Sequence, residues 1–311
     1  MAIDIRSAHS AEMEKNAAMV GRMTGGMGFN KDVSKVNWKA VRIICDLGYS
    51  LMPREKGVKI KKLDLGGVMG EMSIPKKVTS PNILMYIHGG GLVSGSAKAT
   101  RAYCSMLAKY SGCRVVSIDY ALAPEKVWPA AVDDCITAYL ALRKQFPEAK
   151  LCLTGESGGG NLTLATVIRL IRTGEKVPEC IVPHSPVCDF SDSLDRSYYE
   201  IKDITVSVEG LNSLVNAYCP SSDLKEPEIS PIYFDGFDKF PPTIITCDFN
   251  ETLRADCEAL YKKMEEAGAD VNLIIYKNTF HAFAPIGTSS PETMELMIEN
   301  IKFMRKCWGE V

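Results

Sequence analysis

The sequence predicts an α/β fold with a mostly parallel central sheet and helices on both faces. From residue 58 onward, short apolar and β-branched runs alternate with segments of helical periodicity. The later runs are apolar throughout, as strands buried on both faces of a parallel sheet are. With 311 residues, of which 46% are hydrophobic and 24% are charged, the chain can form one large domain with a small appendage.

Seven runs are predicted to be strands, and five segments are predicted to be helices. The strands cover residues 58–65, 82–87, 114–119, 150–155, 180–184, 242–247 and 271–276. Four of the helices cover residues 100–112, 129–146, 160–174 and 253–268, and three of these four end at a glycine, as helix C-termini commonly do. The fifth begins at Ser290, with Pro291 in its first turn, and runs to about Trp308.

Two stretches do not fit the alternation of strands and helices. Residues 1–50 form a Met-rich segment that we expect to be helical, and residues 190–218 form a polar-to-helical insertion. We therefore expect an N-terminal helical segment over residues 1–50 and a main domain over residues 51–311, with residues 190–218 inserted in it.

Composition excludes several classes of partner. Lys and Arg number 36 against 38 Asp and Glu, and no long basic run exists, so nucleic acid and anionic membranes are not expected partners. The N-terminus lacks the apolar stretch of a signal peptide, and the sequence contains no run of eighteen consecutive apolar residues. Both observations predict a cytoplasmic protein without membrane insertion. Eleven cysteines without a CxxC pair predict buried free thiols rather than metal ligands. Oligomeric state stays open, a homodimer included.

Ser157 is the candidate nucleophile. It is the centre of a GxSxG pattern in "LCLTGESGGGNLTLATVIRL", between a predicted strand and a predicted helix. On so sharp a turn, side chains at positions 155 and 159 would collide with neighbouring backbone, and the serine Oγ would project from the top of the sheet. The alternative is a glycine-rich helix start with Ser157 as a simple N-cap.

The stretch "HGGG" at residues 88–91 directly follows another predicted strand. Glycines leave backbone N–H groups unobstructed, and such groups stabilise the oxyanion that forms when a serine attacks an ester carbonyl. Gly90 and Gly91 are the preferred donors, Gly89 is a third candidate, and the amide of Gly158 joins them. A tight turn or a phosphate-binding loop are the alternatives, but neither GxGxxG nor GxxxxGK occurs in the chain.

A serine hydroxyl needs a positioned base, and the chain contains four histidines. His281 is the candidate base because it follows the last predicted strand. In α/β folds with the nucleophile in a GxSxG turn, the three catalytic residues follow one another along the chain in the order serine, acid, histidine. His184 is expected to be a partly buried histidine with its hydrogen bonds satisfied, His88 is expected to orient the glycine loop, and His9 lies in the N-terminal segment.

The acid that orients the histidine should follow the strand at residues 242–247, at the carboxyl end of the sheet. Asp248, Glu251 and Asp256 all lie there. Any carboxylate that reaches the histidine Nδ1 can fix its tautomer, so spacing alone leaves the three alternatives open.

These residues resemble the hormone-sensitive-lipase-type (bacterial family IV) esterases of the α/β-hydrolase fold. The resemblance extends over residues 81–285 and rests on the order and spacing of seven motifs: HGGGLVSGS, DYALAPE, GESGGGNL, SPVCDF, ISPIY, PPTIITCDFNETLR and FHAF. It implies that Glu251, in "ETLR", is the acid. Asp119, Glu125 and Asp189 match family positions with structural roles.

The chain departs from the family pattern at three places. Glu251 stands where the family usually has Asp, "GESGGG" replaces GDSAGG, and "HAF" replaces HGF. The resemblance also implies that residues 1–50 and 190–218 form a helical cap. Its methionines, Met13, Met19, Met23 and Met27, would then line the pocket, or alternatively pack in the ordinary way against the body.

The function implied is a serine carboxylesterase that hydrolyses small, short-chain acyl esters through an acyl-enzyme, without metal or organic cofactor. Two alternatives remain at this point. One is a small-molecule receptor on the same fold that no longer hydrolyses esters, and the other is an amidase or peptidase.

Overall fold

A computed structural model of the chain describes residues 2–27, 36–50, 52–200, 202–286 and 290–310. These residues contain one nine-stranded sheet in the order β1-β9-β8-β7-β6-β4-β5-β3-β2. The strands are β1 Ala2–Ser7, β2 Val58–Leu65, β3 Val68–Pro75, β4 Ile83–Ile87, β5 Arg114–Ile118, β6 Leu151–Glu156, β7 Cys180–His184, β8 Thr243–Asp248 and β9 Val271–Lys277. Only β3 pairs antiparallel with its neighbours, β2 and β5, so the predicted fold class is confirmed.

Ten helices connect and cover the strands in the described part of the chain. They are α1 Ala11–Met27, α2 Trp38–Ser50, α3 Arg101–Ser111, α4 Ala130–Gln145, α5 Gly158–Thr173, α6 Ser197–Glu200, α7 Val208–Tyr218, α8 Arg254–Glu266, α9 Phe283–Ile286 and α10 Pro291–Trp308. Gly112 and Gly174 end α3 and α5 in the left-handed conformation, and Ser290 caps α10 by accepting from the Thr293 amide. The helix limits predicted from glycine and proline therefore agree with the structure to within about two residues.

The strand side chains divide between two hydrophobic cores because they alternate between the two faces of the sheet. In β4, Leu84 and Tyr86 belong to one core, which α3 and α10 cover. Met85 and Ile87 belong to the other, which α4, α5 and α8 cover. Burial on both faces explains why the central strands read as continuous apolar runs.

The first strand corrects the expectation that the whole N-terminal segment is helical. Residues 2–7, "AIDIRS", pair in parallel with β9 at the edge of the sheet. Ile3 and Ile5 are about half exposed, at 50% and 51%, so burial of side chains does not hold this strand. Its backbone instead pairs with the N–H and C=O groups of β9, which would otherwise be unpaired at the edge of the sheet. Because β1 and β9 are distant in sequence, the local sequence pattern does not predict this pairing.

Strand β3 is absent from the sequence prediction although a signal for it exists. Leu65 of β2 pairs with Val68 of β3, so Gly66 and Gly67 alone form the hairpin loop. Both glycines have positive φ, +74° and +96°. Two glycines between two strands are typical of a two-residue hairpin.

No helix in the described ranges is both long enough and apolar enough to cross a bilayer.

Candidate active site

Ser157 lies on a strained turn between β6 and α5. Its φ is +57° and its ψ is −119°, a conformation that non-glycine residues rarely adopt. A Cβ at Gly155 would lie 2.4 Å from the Ile87 carbonyl oxygen, and one at Gly159 would lie 2.1 Å from the same atom. The two glycines therefore allow the close approach of β4 and α5 that holds the turn, as the motif predicts.

The loop after β4 places three glycine amides in different environments. The Gly89 N–H donates to Oε1 of Glu156 at 2.7 Å. Gly90 and Gly91 have positive φ, +106° and +63°, and their amides have no protein acceptor within the described ranges. The prediction that Gly89 serves as an oxyanion donor is therefore not supported, because its hydrogen is already engaged.

His88 and Tyr120 hold this loop by ring stacking and hydrogen bonds. The His88 ring stacks on Tyr120 with centroids 4.3 Å apart, and His88 Nδ1 lies 2.8 Å from the Gly89 carbonyl oxygen. The Tyr120 hydroxyl donates to the His88 carbonyl oxygen at 2.8 Å. This arrangement agrees with a loop-orienting role for His88.

His281 and Glu251 are in direct contact. His281 Nδ1 lies 2.9 Å from Glu251 Oε2, and both side chains are buried. Burial raises the pKa of the Glu251 carboxyl, and the imidazole opposes this effect. Burial lowers the pKa of His281, but the Glu251 carboxylate, with smaller contributions from Asp203 and Glu156, raises it, so the net pKa lies above its ordinary value. The two groups therefore titrate as a coupled pair.

The other two acidic candidates have different partners. Asp248 Oδ2 accepts from the Thr279 amide at 3.2 Å and from its hydroxyl at 2.6 Å, while Oδ1 accepts from the Asn250 amide at 2.7 Å. Asp256 pairs with Arg196, with Oδ2 to Nε at 2.8 Å. Asp248 thus braces the loop that carries His281 without touching the imidazole.

The remaining histidines lie away from Ser157's proposed partners. His184 is hydrogen-bonded as predicted, with Nδ1 2.6 Å from the Thr246 hydroxyl, but it is fully rather than partly buried. Burial lowers the pKa of His184 to about 4, so the ring is neutral at physiological pH. His9 is exposed in the N-terminal segment.

The loop that carries Glu251 is also tied to the insertion, a link that sequence reasoning missed. The Thr252 amide donates to Asp203 Oδ2 at 2.7 Å, and its hydroxyl donates to the Val206 carbonyl oxygen at 2.7 Å. Nothing in the sequence pattern joins residues 203 and 252. Glu156, the partner of the Gly89 amide, could have been singled out, since it lies inside the GxSxG motif.

A mostly apolar cavity of about 430 Å³ lies over these groups, and both Ser157 and His281 line it. Its apolar wall comes from α1 and from the insertion, and includes Met19, Val20, Val206, Leu211 and Leu214. Of the four methionines expected in the lining, Met19 is there. Met13 instead packs into the core between α1 and α10, and the side chains of Met23 and Met27 lie outside the described residues.

The arrangement brings a hydroxyl and an imidazole to one apolar cavity, with a carboxylate behind the imidazole and glycine amides on the wall. Such a site can perform nucleophilic attack on a carbonyl carbon and stabilise the resulting charge. In the described part of the chain, Cys247, Glu251 and Cys257 place three possible metal-ligand atoms within 4.8 Å of one another.

Comparison with known proteins gives a consistent set of relatives. Residues 84–285 match the family described as having the α/β hydrolase fold. An esterase of Acinetobacter venetianus is 30% identical over 268 residues, which cover 85% of this chain and 88% of that protein. An acetyl-hydrolase of Streptomyces hygroscopicus is 28% identical over 229 residues, 73% of this chain and 76% of that protein. The crystal structure of an esterase from the bacterial hormone-sensitive lipase family superposes with a TM-score of 0.87 at 27% identity, covering 96% of this chain and 99% of that one.

Proposed function

Because the chain belongs to the hormone-sensitive-lipase-type (bacterial family IV) esterases of the α/β-hydrolase fold and is a carboxylic ester hydrolase, we propose that it cleaves short-chain acyl esters with Ser157, His281 and Glu251. Ser157 is the nucleophile, His281 is the base, and Glu251 orients the imidazole and stabilises its charged form. The contact of 2.9 Å between His281 and Glu251, at the wall of the cavity that Ser157 also lines, is the observation that carries this proposal.

The reaction proceeds in two steps. His281 takes the Ser157 proton as Oγ attacks the ester carbonyl carbon, and the same proton then passes to the leaving alcohol. The amides of Gly90, Gly91 and Gly158 are the proposed donors to the oxyanion; Gly158 is the first residue of α5, where helical N–H groups lack an internal acceptor. Water activated by His281 then hydrolyses the acyl-Ser157 bond. None of these steps calls for a metal or organic cofactor.

We propose short acyl chains because two apolar segments confine the cavity. Residues of α1 and of the insertion form its apolar wall, and we assign these two segments the role of a cap. A confined apolar pocket discriminates between chain lengths, and one methylene contributes about 1–3 kcal/mol to that discrimination.

The proposal predicts that Ser157→Ala abolishes turnover of p-nitrophenyl acetate, with kcat lower by about 10⁵ or more. Ser221→Ala, at an exposed serine outside the cavity, is the matched control and should keep the wild-type rate. Thermal unfolding of both variants checks that they are folded. Hydrolysis by the folded Ser157→Ala variant at the wild-type rate would contradict the proposal.

A further inference from the structure

Glu251 also belongs to a group of three buried side chains with metal-ligand chemistry, together with two cysteines. Cys247 comes from β8, Glu251 from the loop that follows, and Cys257 from α8. One ligand atom of each, two Sγ and a carboxylate oxygen, all lie within 4.8 Å of one another. All three residues are at most 1% exposed. The sequence shows no metal pattern here, because the two cysteines are ten positions apart and only the turn from β8 into α8 brings them together.

The carboxylate of Glu251 has one oxygen engaged and one oxygen free. Oε2 accepts from His281, whereas Oε1 is buried without a hydrogen-bond partner among the residues that the structure describes. A buried carboxylate oxygen without a partner is unfavourable, and native proteins rarely leave one. The free oxygen belongs to a carboxylate that lies beside two thiols, and it is an acceptor that a cation can satisfy.

The chemistry of the three groups selects the kind of cation. Thiolates favour soft or borderline metals, and two thiolates with one carboxylate oxygen match the ligands of zinc sites that keep a fourth position for water. A tetrahedral site with metal–sulfur bonds of about 2.3 Å holds its sulfurs about 3.8 Å apart. A cation would draw ligand atoms that lie within 4.8 Å of one another toward this geometry, and the larger Cd²⁺ requires less contraction than Zn²⁺.

We propose that Cys247, Cys257 and Oε1 of Glu251 form an inhibitory site for a soft divalent cation such as Zn²⁺ or Cd²⁺. The ion enters as M²⁺, each thiol releases one proton to solvent, and two metal–sulfur bonds and one metal–oxygen bond form. A metal bound to Glu251 competes with His281 for the charge of the carboxylate. The binding itself needs no assumption about catalysis, whereas the inhibition rests on the proposed role of Glu251.

Burial of the site predicts slow onset. Since the ion cannot reach fully buried sulfurs without a local opening of the structure around α8, inhibition should develop with time after mixing rather than at once. Removal of the ion by a chelator should restore the rate on a similarly slow scale.

A second group of thiols must be separated from this one. Cys180 of β7 lies beside Cys152 and Cys307, within interaction range of both thiols. Cys152 and Cys180 belong to the core on the opposite face of the sheet from Cys247 and Cys257, and Cys307 is partly exposed. A metal that binds thiolates can also bind to this cluster. The experiment is therefore made with the Cys307→Ser variant, which removes one of its three thiols.

The experiment adds CdCl₂ to the full chain in a buffer that does not bind the metal. Two readouts are followed in time: the ultraviolet absorption of cadmium–thiolate charge transfer and the hydrolysis of p-nitrophenyl acetate. Cys307→Ser should show both the absorption and a slow loss of rate. Adding Cys257→Ser should raise the cadmium concentration needed for each effect by about tenfold or more, as loss of a coordinating group does. Each rate is compared with that of the same variant without metal.

Equal absorption and equal inhibition with and without Cys257 would overturn the proposal. Cadmium absorption that depends on Cys257, without any loss of rate, would support the metal site and contradict the assignment of Glu251 as the catalytic acid. The two outcomes distinguish failure of the metal site from failure of the proposed function.

Discussion

The turn that carries Ser157 and the two segments that wall the cavity are held in different ways. The turn is fixed by backbone: the Ser157 amide donates to the His184 carbonyl oxygen at 2.9 Å, and glycines 155 and 159 pack against the carbonyl of Ile87. The insertion is held by side chains: Leu211 and Tyr218 pack into the core, and polar links join Arg196 to Asp256 and Thr252 to Asp203. The Ser157 turn is thus positioned by backbone at the carboxyl ends of the strands, and the cavity wall by the packing and polar links of side chains.

The largest effect that sharpens this contrast is expected at the acid. Glu251→Gln keeps the shape of the side chain but removes the charge that stabilises protonated His281, so kcat should fall by about 10³ or more. Asp248→Asn is the matched control and should lower kcat by no more than about tenfold, because Asp248 contacts Thr279 and Asn250 rather than the imidazole. The reverse ranking in steady-state kinetics would move the role to Asp248.

A smaller effect is expected where the insertion joins the body. Asp256→Ala removes the buried ion-pair partner of Arg196, with Arg196 at 3% and Asp256 at 0% exposure. The guanidinium then keeps only the Asp189 carbonyl oxygen and a longer contact of 3.4 Å to Asp192. Loss of one partner of a buried ion pair lowers the free energy of unfolding by about 3–5 kcal/mol.

The control for that prediction is an exposed pair. Asp133→Ala removes an ion-pair partner of Arg169. Because the Asp133 side chain is 54% exposed, the free energy of unfolding should fall by no more than about 1 kcal/mol. Chemical denaturation of both variants measures the difference. Equal losses would show that the Arg196–Asp256 pair does not anchor the insertion.

The smallest effect is expected in the cavity wall. Leu214→Ala, on α7, enlarges the apolar cavity and should raise kcat/KM for decanoate relative to acetate esters of p-nitrophenol by about tenfold. Leu194→Ala lies in the same insertion but outside the cavity lining, and should leave the ratio unchanged. The same ratio in both variants would mean that α7 does not set the acyl length.

The sequence indicated the turn at Ser157 well because its constraints are local. A strand, two glycines and a helix within about twenty residues leave little freedom, and the glycine collisions found in the structure are those expected of this turn. The prediction of His281 has a related basis, since chain order along a parallel sheet fixes which loops meet at its carboxyl edge.

What sequence could not supply depends on distant contacts. Residue spacing left Asp248, Glu251 and Asp256 equivalent, and only the resemblance favoured Glu251. The engagement of the Gly89 amide by Glu156 joins residues 67 positions apart, and the Arg196–Asp256 pair joins residues 60 positions apart. Strand β1 was missed because its stabilising partner, the free edge of β9, lies near the other end of the chain.

The most direct test of the central claim is labelling by diethyl p-nitrophenyl phosphate, whose phosphorus reacts with an activated serine hydroxyl and expels p-nitrophenolate. We predict one equivalent of p-nitrophenolate per chain, loss of esterase activity in the same proportion, and a diethylphosphoryl group on Ser157 by peptide mass spectrometry. A label on another residue with the same loss of activity, or continued ester turnover by a chain fully labelled at Ser157, would contradict the account.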